Sequence, residues 1–497
     1  MISYLGAISS GLLLALAYPK FDLFPLAFVA LGLLLVLVKT YPGQGFRLGF
    51  LAGLSFFFLL LYWLTGVMTH FGGLPLPAAV GILALLSAYL ALYLGVPVYL
   101  FEQLELYETS ILNALIFAGL VVLFEYLRGF IFGGFPWGLL GASQYRFLNL
   151  IQAADLGGVY LISFLVVLIN YAFFALLTDY RRAWRVEAFV MVIFLLFLIY
   201  GHFERQKDWS GKPFEVGLIQ GNIPQDIKWD KAFKETSLKR YFELSEEALG
   251  HGAQVLIWPE TAVPFYFFPD QGLGRKIIAW SQAHEEPLLF GAPRLRFYQD
   301  RVEVYNSLFL VAKGRVQGIY DKQHLVPFGE YVPLENVFPF LRTFAVASGD
   351  YQPGPMGGPL RLSRHKVFGP LICFESVFPW LARKQVQKGA TVLVIVTNDA
   401  WFGRSAGPYQ HFAQAVFRAI ENRRYILRAA NTGISGVISP TGEILLATKL
   451  EETTAPCAKA GFLSYLTVYT KYGTFFPLFY LFWAVLAIPK LIRSRRR

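Results

Sequence analysis

The chain has 497 residues, of which 55% are hydrophobic and only 15% charged, and its net charge is +11. That balance excludes a disordered, collagen-like or disulfide-scaffold chain, and a wholly soluble protein would leave too much apolar surface without a core. The basic residues form no patch interleaved with aromatics; they gather near the ends of apolar segments and in one long polar region. They are therefore read as topology and surface charge, and no nucleic-acid partner is expected.

In chain order, apolar segments run at about 6–18, 22–39, 46–69, 78–102, 111–132, 156–180 and 187–202. Most are long enough, at about 1.5 Å per residue, to cross a hydrocarbon core of roughly 30 Å. The first is short and carries Ala15-Leu16-Ala17, which resembles a signal-peptidase site. No Lys or Arg precedes it and another apolar segment follows at once, so an uncleaved first helix is expected. Residues 1–203 are thus expected to be a membrane domain of seven transmembrane helices. Residues 204–470, with their charges, Gly/Pro turns and short apolar runs, are expected to be a water-exposed domain. Residues 471–497 are expected to hold an eighth span and a basic tail, Arg493-Ser-Arg495-Arg496-Arg497. Lys39 and Arg47, then Arg181, Arg182 and Arg185, then the tail fall on one side if the spans alternate. Positive charge marks the cytoplasmic side, which puts both termini inside and residues 204–470 outside, in the periplasm of a double-membrane bacterium.

Within 204–470, strand-like runs at 216–220, 255–258, 287–290, 304–312, 370–373 and 391–396 alternate with helix-like stretches at 235–248 and 407–424, an α/β pattern. The segment 304–320 reads as a hairpin turning at Gly314-Arg315. No zinc-ligand spacing, HExxH, P-loop or GxSxG elbow is present, so no metal and no cofactor is expected. Cys373 and Cys457 are the two cysteines, and nothing in the sequence decides whether they bond.

Three polar residues follow strand-like runs: Glu260, Lys322 and Cys373. Sites gather at the carboxyl ends of strands in open α/β sheets. A carboxylate that takes a thiol proton, a thiolate that attacks and a cation that stabilises the oxyanion make a workable acyl-transfer set. Each also has an ordinary reading: a buried small hydrophobe for Cys373, a turn or cap for Glu260, a surface ion pair for Lys322. The aromatic run Phe265-Tyr-Phe-Phe-Pro269 reads equally as an apolar lip beside Glu260 or as core.

The local words add to this. Trp258-Pro-Glu-Thr-Ala262, the stretch from Tyr320-Asp-Lys-Gln-His to Phe328-Gly-Glu-Tyr-Val-Pro333, Cys373-Phe-Glu375 and Asn398-Asp-Ala-Trp-Phe402 resemble the nitrilase superfamily. With Glu125-Tyr-Leu-Arg128 and Gly134-Phe-Pro-Trp137 in the membrane part, essentially the whole chain is similar to the apolipoprotein N-acyltransferase family. The resemblance implies a multi-span α-helical membrane domain joined to a nitrilase-like α-β-β-α sandwich. It implies an acyl group moved from a membrane phospholipid to the α-amine of a diacylglyceryl-cysteine on an apolipoprotein, through a cysteine thioester. It further implies Glu260 as general base, Lys322 as oxyanion stabiliser and Cys373 as nucleophile. Glu330 and Glu375 would be supporting acids, Trp229 would lie near substrate, and the chain would act as a monomer. The family often carries Tyr directly after the cysteine; here it is Phe374, so any hydroxyl contact from that position is lost.

Three other readings compete. A membrane-tethered carbon–nitrogen hydrolase would use the same triad with water, though a simple anchor needs one span rather than seven. A Cys–His pair would join Cys373 to His411 or His365, although His411 reads as a surface or structural residue. A transporter or scaffold would use intramembrane charges, for which Glu125 and Arg128 are the main candidates.

Overall fold

The computed structural model describes residues 1–225, 228, 231–333, 335, 339, 342, 351–486 and 489. The chain forms two compact units: Met1–Thr65, Pro75–Lys207 and a segment from Lys471 make one, Gly66–Leu74 and Asp208–Thr470 the other.

In the first unit a helix lies in each apolar segment. Leu76–Gln103, Ile111–Arg128, Val159–Thr178 and Tyr180–Gln206 are each long and apolar enough to cross a membrane. Gly45–Leu60 and Trp63–His70 form a broken pair bent by 55°, and Ile2–Leu16, Phe24–Thr40 and Phe476–Val485 are shorter. The basic tail lies outside the described residues. Small residues let the helices close up: Gly45, Gly49 and Gly53 recur every fourth residue on one helix face. A Cβ on Gly49 would sit 2.7 Å from Val98, and one on Gly53 2.9 Å from Ala91. The two intramembrane charges are buried and turned onto backbone. Glu125 Oε1 accepts from Leu140 N at 2.7 Å, and Arg128 donates to the Trp137 and Gly138 carbonyls. They stand 4.0 Å apart and brace the loop that carries Trp137.

Among its described residues the second unit contains twelve strands: β1 (Lys212–Leu218), β2 (Val255–Ile257), β3 (Leu288–Phe297), β4 (Val302–Ala312), β5 (Arg315–Asp321), β6 (Leu360–Arg361), β7 (Val367–Ile372), β8 (Val392–Thr397), β9 (Ile426–Ala430), β10 (Gly436–Ile438), β11 (Ile444–Ala447) and β12 (Cys457–Phe462). They form two six-stranded sheets, ordered β12-β1-β2-β3-β4-β5 and β11-β10-β9-β8-β7-β6. Strands β1, β2 and β3 run parallel, as do β7, β8 and β9. The side-chain period of two builds the layers. Val392, Val394 and Val396 join Val255, Ile257 and Leu289 in the core between the sheets. The alternate residues Leu256, Trp258, Leu288 and Phe290 form the core on the first sheet's other face. Helices Lys231–Gly250 and Gly272–Ala283 contribute Tyr241, Leu244 and Ile277 to that outer core. Pro379–Gln387 and Gly407–Asn422 pack on the second sheet, completing an α-β-β-α sandwich. The β4–β5 hairpin turns on Lys313 and Gly314, both at positive φ, one residue earlier than the Gly314-Arg315 turn read from sequence. Residues 66–74, read from sequence with the first domain, group with this unit; Phe71 meets the Trp401 ring edge-on at 4.7 Å.

Candidate active site

Glu260, Lys322 and Cys373 each stand just past a strand end, after β2, β5 and β7. Residues 258–260 continue from β2 into a turn in which Thr261 adopts φ 46°, a costly conformation for a β-branched residue. Glu260 is 6% exposed. Its Oε1 accepts from Asn306 Nδ2 at 2.7 Å and its Oε2 from the Asn398 backbone N–H at 2.9 Å.

Lys322 is buried. Its Nζ donates to Glu330 Oε1 at 2.9 Å and lies 3.5 Å from Glu260 Oε1. Burial alone would pull the ammonium down, but Glu330, Glu260 and Cys373 outweigh it and hold Lys322 well above the ordinary lysine value. The Asn306 amide donates to both carboxylates, reaching Glu330 Oε1 at 3.0 Å. Two anions therefore dictate which way that amide points, leaving Oδ1 buried without a hydrogen-bond partner among the described residues.

Cys373 sits at φ 51° where β7 passes into the short 3-10 helix Cys373–Val377. This left-handed turn is held from two sides. Glu375 Oε2 accepts from Ile372 N at 2.7 Å, while the Cys373 carbonyl accepts from Ser376 Oγ at 2.8 Å and lies 3.1 Å from His411 Nε2. Burial pushes the thiol up, Glu260 adds to the rise, and Lys322 opposes it. A thiol in that state is protonated at rest and needs a base to become a nucleophile. Both cysteines are free, and Cys457 lies on β12 with its Sγ near the Ala248 carbonyl, 3.5 Å away.

Glu375 ties the Cys373 turn to the loop that begins at Lys322. Besides Ile372 N, it accepts from Tyr320 Oη at 3.0 Å, Gln323 N at 2.7 Å and His324 N at 3.2 Å. Glu330 also accepts from Val326 N at 2.8 Å. Phe374, in place of the expected tyrosine, packs its ring 5.0 Å from Phe378 and 5.9 Å from His324. Trp229 lies outside the described residues.

Four residues to which the sequence assigns no individual role gather around these groups. Asn306 and Asn398 bracket Glu260. Asp399 and Arg428 flank His411, which is buried rather than on the surface. Arg428 donates to Asp399 Oδ2 at 2.7 Å, and Asp399 Oδ1 lies 3.0 Å from His411 Nδ1. Burial pushes the Asp399 carboxyl up, but Arg428 and His411 outweigh it and hold the group well below the usual carboxylate range. His411 meets the Cys373 carbonyl, so it braces the turn. A signal for three of these was present: Asn306 interrupts an apolar strand, and Asn398-Asp399 follow one as Glu260 does.

Carboxylate and ammonium thus stand side by side, buried and near enough to Cys373 for their charges to act on its thiol, and no cluster of potential metal ligands occurs among the described residues. Residues 10–172 match the family described as apolipoprotein N-acyltransferase N-terminal domain, and residues 215–458 match carbon-nitrogen hydrolase. The chain is 41% identical over 482 residues to an apolipoprotein N-acyltransferase of Geobacter metallireducens, covering 95% of this chain and 92% of that one. It is 35% identical to the Pseudomonas putida enzyme of that name, over 88% of this chain and 86% of that one. For the Haemophilus influenzae enzyme the identity is 33%, over 89% and 86%. A crystal structure of a Saccharomyces cerevisiae member of the nitrilase superfamily aligns at 18% identity and a TM-score of 0.40, over 51% of this chain and 92% of its own.

Proposed function

The chain belongs to the apolipoprotein N-acyltransferase family, and on that premise we propose that it acylates the N-terminal diacylglyceryl-cysteine of apolipoproteins with a chain taken from a membrane phospholipid. The observation that carries this reading is the buried Glu260–Lys322–Cys373 cluster in a chain whose described residues also include four helices long and apolar enough to cross a membrane. Lifting an acyl chain out of a bilayer costs about 0.8 kcal/mol per CH₂, so a membrane enzyme with a thioester site suits two lipid-bearing substrates.

Chemistry proceeds in two halves. Glu260 takes the Cys373 proton and the thiolate attacks the phospholipid ester carbonyl. The Lys322 ammonium stabilises the tetrahedral oxyanion. The C–O bond breaks, Glu260 returns its proton to the departing lysophospholipid hydroxyl, and a thioester remains on Cys373. The acceptor's neutral α-amine then attacks, Glu260 takes an N–H proton, the C–S bond breaks, and the proton returns to the thiolate. Glu330 keeps Lys322 charged and Glu375 holds the two loops in register; Trp229 would contact substrate. An α-amine with a reference pKa near 8 is partly neutral around pH 7, whereas a lysine side chain is almost wholly charged. The enzyme acts as a monomer in the bacterial inner membrane, with both termini cytoplasmic and the sandwich periplasmic. The loop charges at Lys39, Arg47, Arg181, Arg182 and Arg185 support that orientation.

The test is a labelled phospholipid with and without a diacylated lipopeptide. One label per Cys373 without acceptor, passing to the peptide N-terminus with it, is the expected result. Rapid release of free fatty acid with no transfer would instead make the protein a hydrolase. Cys373→Ala and Glu260→Gln should abolish acyl-enzyme formation, and Lys322→Ala should cost roughly 3 kcal/mol, about 100-fold in rate. A wild-type rate in any of these removes that residue from the mechanism.

A further inference from the structure

Two lysines are buried among the described residues, Lys322 and Lys228, each 1% exposed. The scheme above uses only the first. Lys228 Nζ donates to Thr261 Oγ1 at 3.0 Å and to the Glu260 backbone carbonyl at 3.4 Å. An ammonium buried against neutral oxygens is expensive, and burial pulls Lys228 down to about 8, with the Glu260 charge opposing only in part. An apolar side chain at this position would avoid that cost, so the contact needs an explanation.

The turn it grips is strained at Thr261 and is already clasped by β3. A Cβ on Gly291 would stand 2.6 Å from Thr261 N and 2.7 Å from Glu260 Cα. Gly291 N donates to the Pro259 carbonyl at 3.2 Å, and its own carbonyl accepts from Val263 N at 3.1 Å. The segment carrying Lys228 is anchored independently. Asn431 Oδ1 accepts from Ile223 N at 2.9 Å and Asn431 Nδ2 donates to the Ile223 carbonyl at 2.7 Å. Gln225 Oε1 accepts from Asn398 Nδ2 at 2.7 Å, and the Asn398 backbone N–H is the group that binds the Glu260 carboxylate. Gln225 and Lys228 therefore both reach Glu260, the first through Asn398 at the carboxylate and the second at the backbone.

We propose that Lys228 is a positioning residue for Glu260: its ammonium locks the Glu260–Thr261 turn in place, as Gln225 locks Asn398, so that the carboxylate is held beside Lys322 and in reach of the Cys373 thiol. The inference rests on Glu260 being the base.

The test uses the full-length enzyme and two readouts. One is single-turnover acylation of Cys373 by labelled phospholipid. The other is alkylation by iodoacetamide, read by mass on the Cys373 peptide, which needs the base but no lipid site. Lys228→Met should slow both by about 30-fold at unchanged KM for phospholipid, since small misplacements of a catalytic group cost up to about 100-fold. Lys228→Arg should recover most of the loss, and Thr261→Val, which removes one partner, should slow both by about 5-fold. If Lys228→Met does not fold, Thr261→Val and Lys228→Arg carry the test, and wild-type rates in Thr261→Val overturn the clamp. A raised KM in Lys228→Met with unchanged alkylation would make Lys228 a substrate contact and also overturn it. Wild-type alkylation in Glu260→Gln would overturn the base assignment and this inference together. Loss in Glu260→Gln with wild-type rates in Lys228→Met would overturn the clamp alone.

Discussion

Glu375 is a buried carboxylate that holds the turn at Cys373 and the loop after Lys322 together by hydrogen bonds. It accepts hydrogen bonds from both sides of the cluster, from Ile372 N next to Cys373 and from Gln323 N and His324 N next to Lys322. Burial pushes it up from 4.5 to about 7, against the pull of those donors and of Lys322. The folded protein therefore holds a proton between these values that the unfolded chain releases. Stability from this group is fully present below about 4.5 and is lost as pH rises through about 7, by roughly 3 kcal/mol at most. The melting temperature of the detergent-solubilised protein should fall with pH across that window, and the slope should flatten in Glu375→Gln. An unchanged slope would mean that Glu375 is not the titrating group. Glu375→Gln should also lower activity, because its amide nitrogen cannot accept from the backbone N–H groups that one carboxylate oxygen now serves.

At the level of elements, the site is assembled from strand ends. Strands β2, β5, β7 and β8 each release a polar residue where apolar side chains stop, and the two-sheet sandwich gathers those ends. Strand β3 contributes no reacting group, yet its Gly291 is where the Glu260 turn lies flat against the sheet. Gly291→Ala would drive a methyl into the backbone of residues 259–261, which cannot swing aside as a flexible side chain could. The expected cost is about 1–3 kcal/mol of stability, together with a slower first half-reaction. Thermal unfolding and acyl-enzyme formation measured on the same preparation check this. Full activity with an unchanged melting temperature would show that the turn relaxes freely.

For the whole molecule, the division of labour is written in composition. Apolar helices fill one unit and the charge cluster lies in the other. The orientation proposed from loop charge makes a direct prediction. Reporter fusions at Asp208 and at the C-terminus should report opposite sides of the membrane. Both reporting the cytoplasm would contradict the periplasmic placement of the sandwich. Loop arginines set orientation by staying on the cytoplasmic side, so replacing Arg181, Arg182 and Arg185 together should blur the reporter pattern before it affects the fold of the sandwich.

The amino-acid sequence by itself determined the membrane-plus-α/β architecture and the strand-end positions of Glu260, Lys322 and Cys373. These follow from local quantities, since apolar run length and the two-residue alternation of a strand are decided within a few neighbouring residues. The tertiary structure alone decided what surrounds them. Asn306 lies 46 residues from Glu260 and Asn398 lies 138 residues away, yet both hold the same carboxylate. For His411 the sequence leaves a surface or a structural role, and only the fold decides for the structural one, burying it between Asp399 and the Cys373 carbonyl. The same holds for Lys228, an unremarkable basic residue in a polar stretch that becomes a buried cation only when the fold sets it against Thr261 and the Glu260 carbonyl. Hydrogen-bond partners so distant along the chain leave no periodic trace in it, because closing the sandwich, not local propensity, brings them within 3 Å.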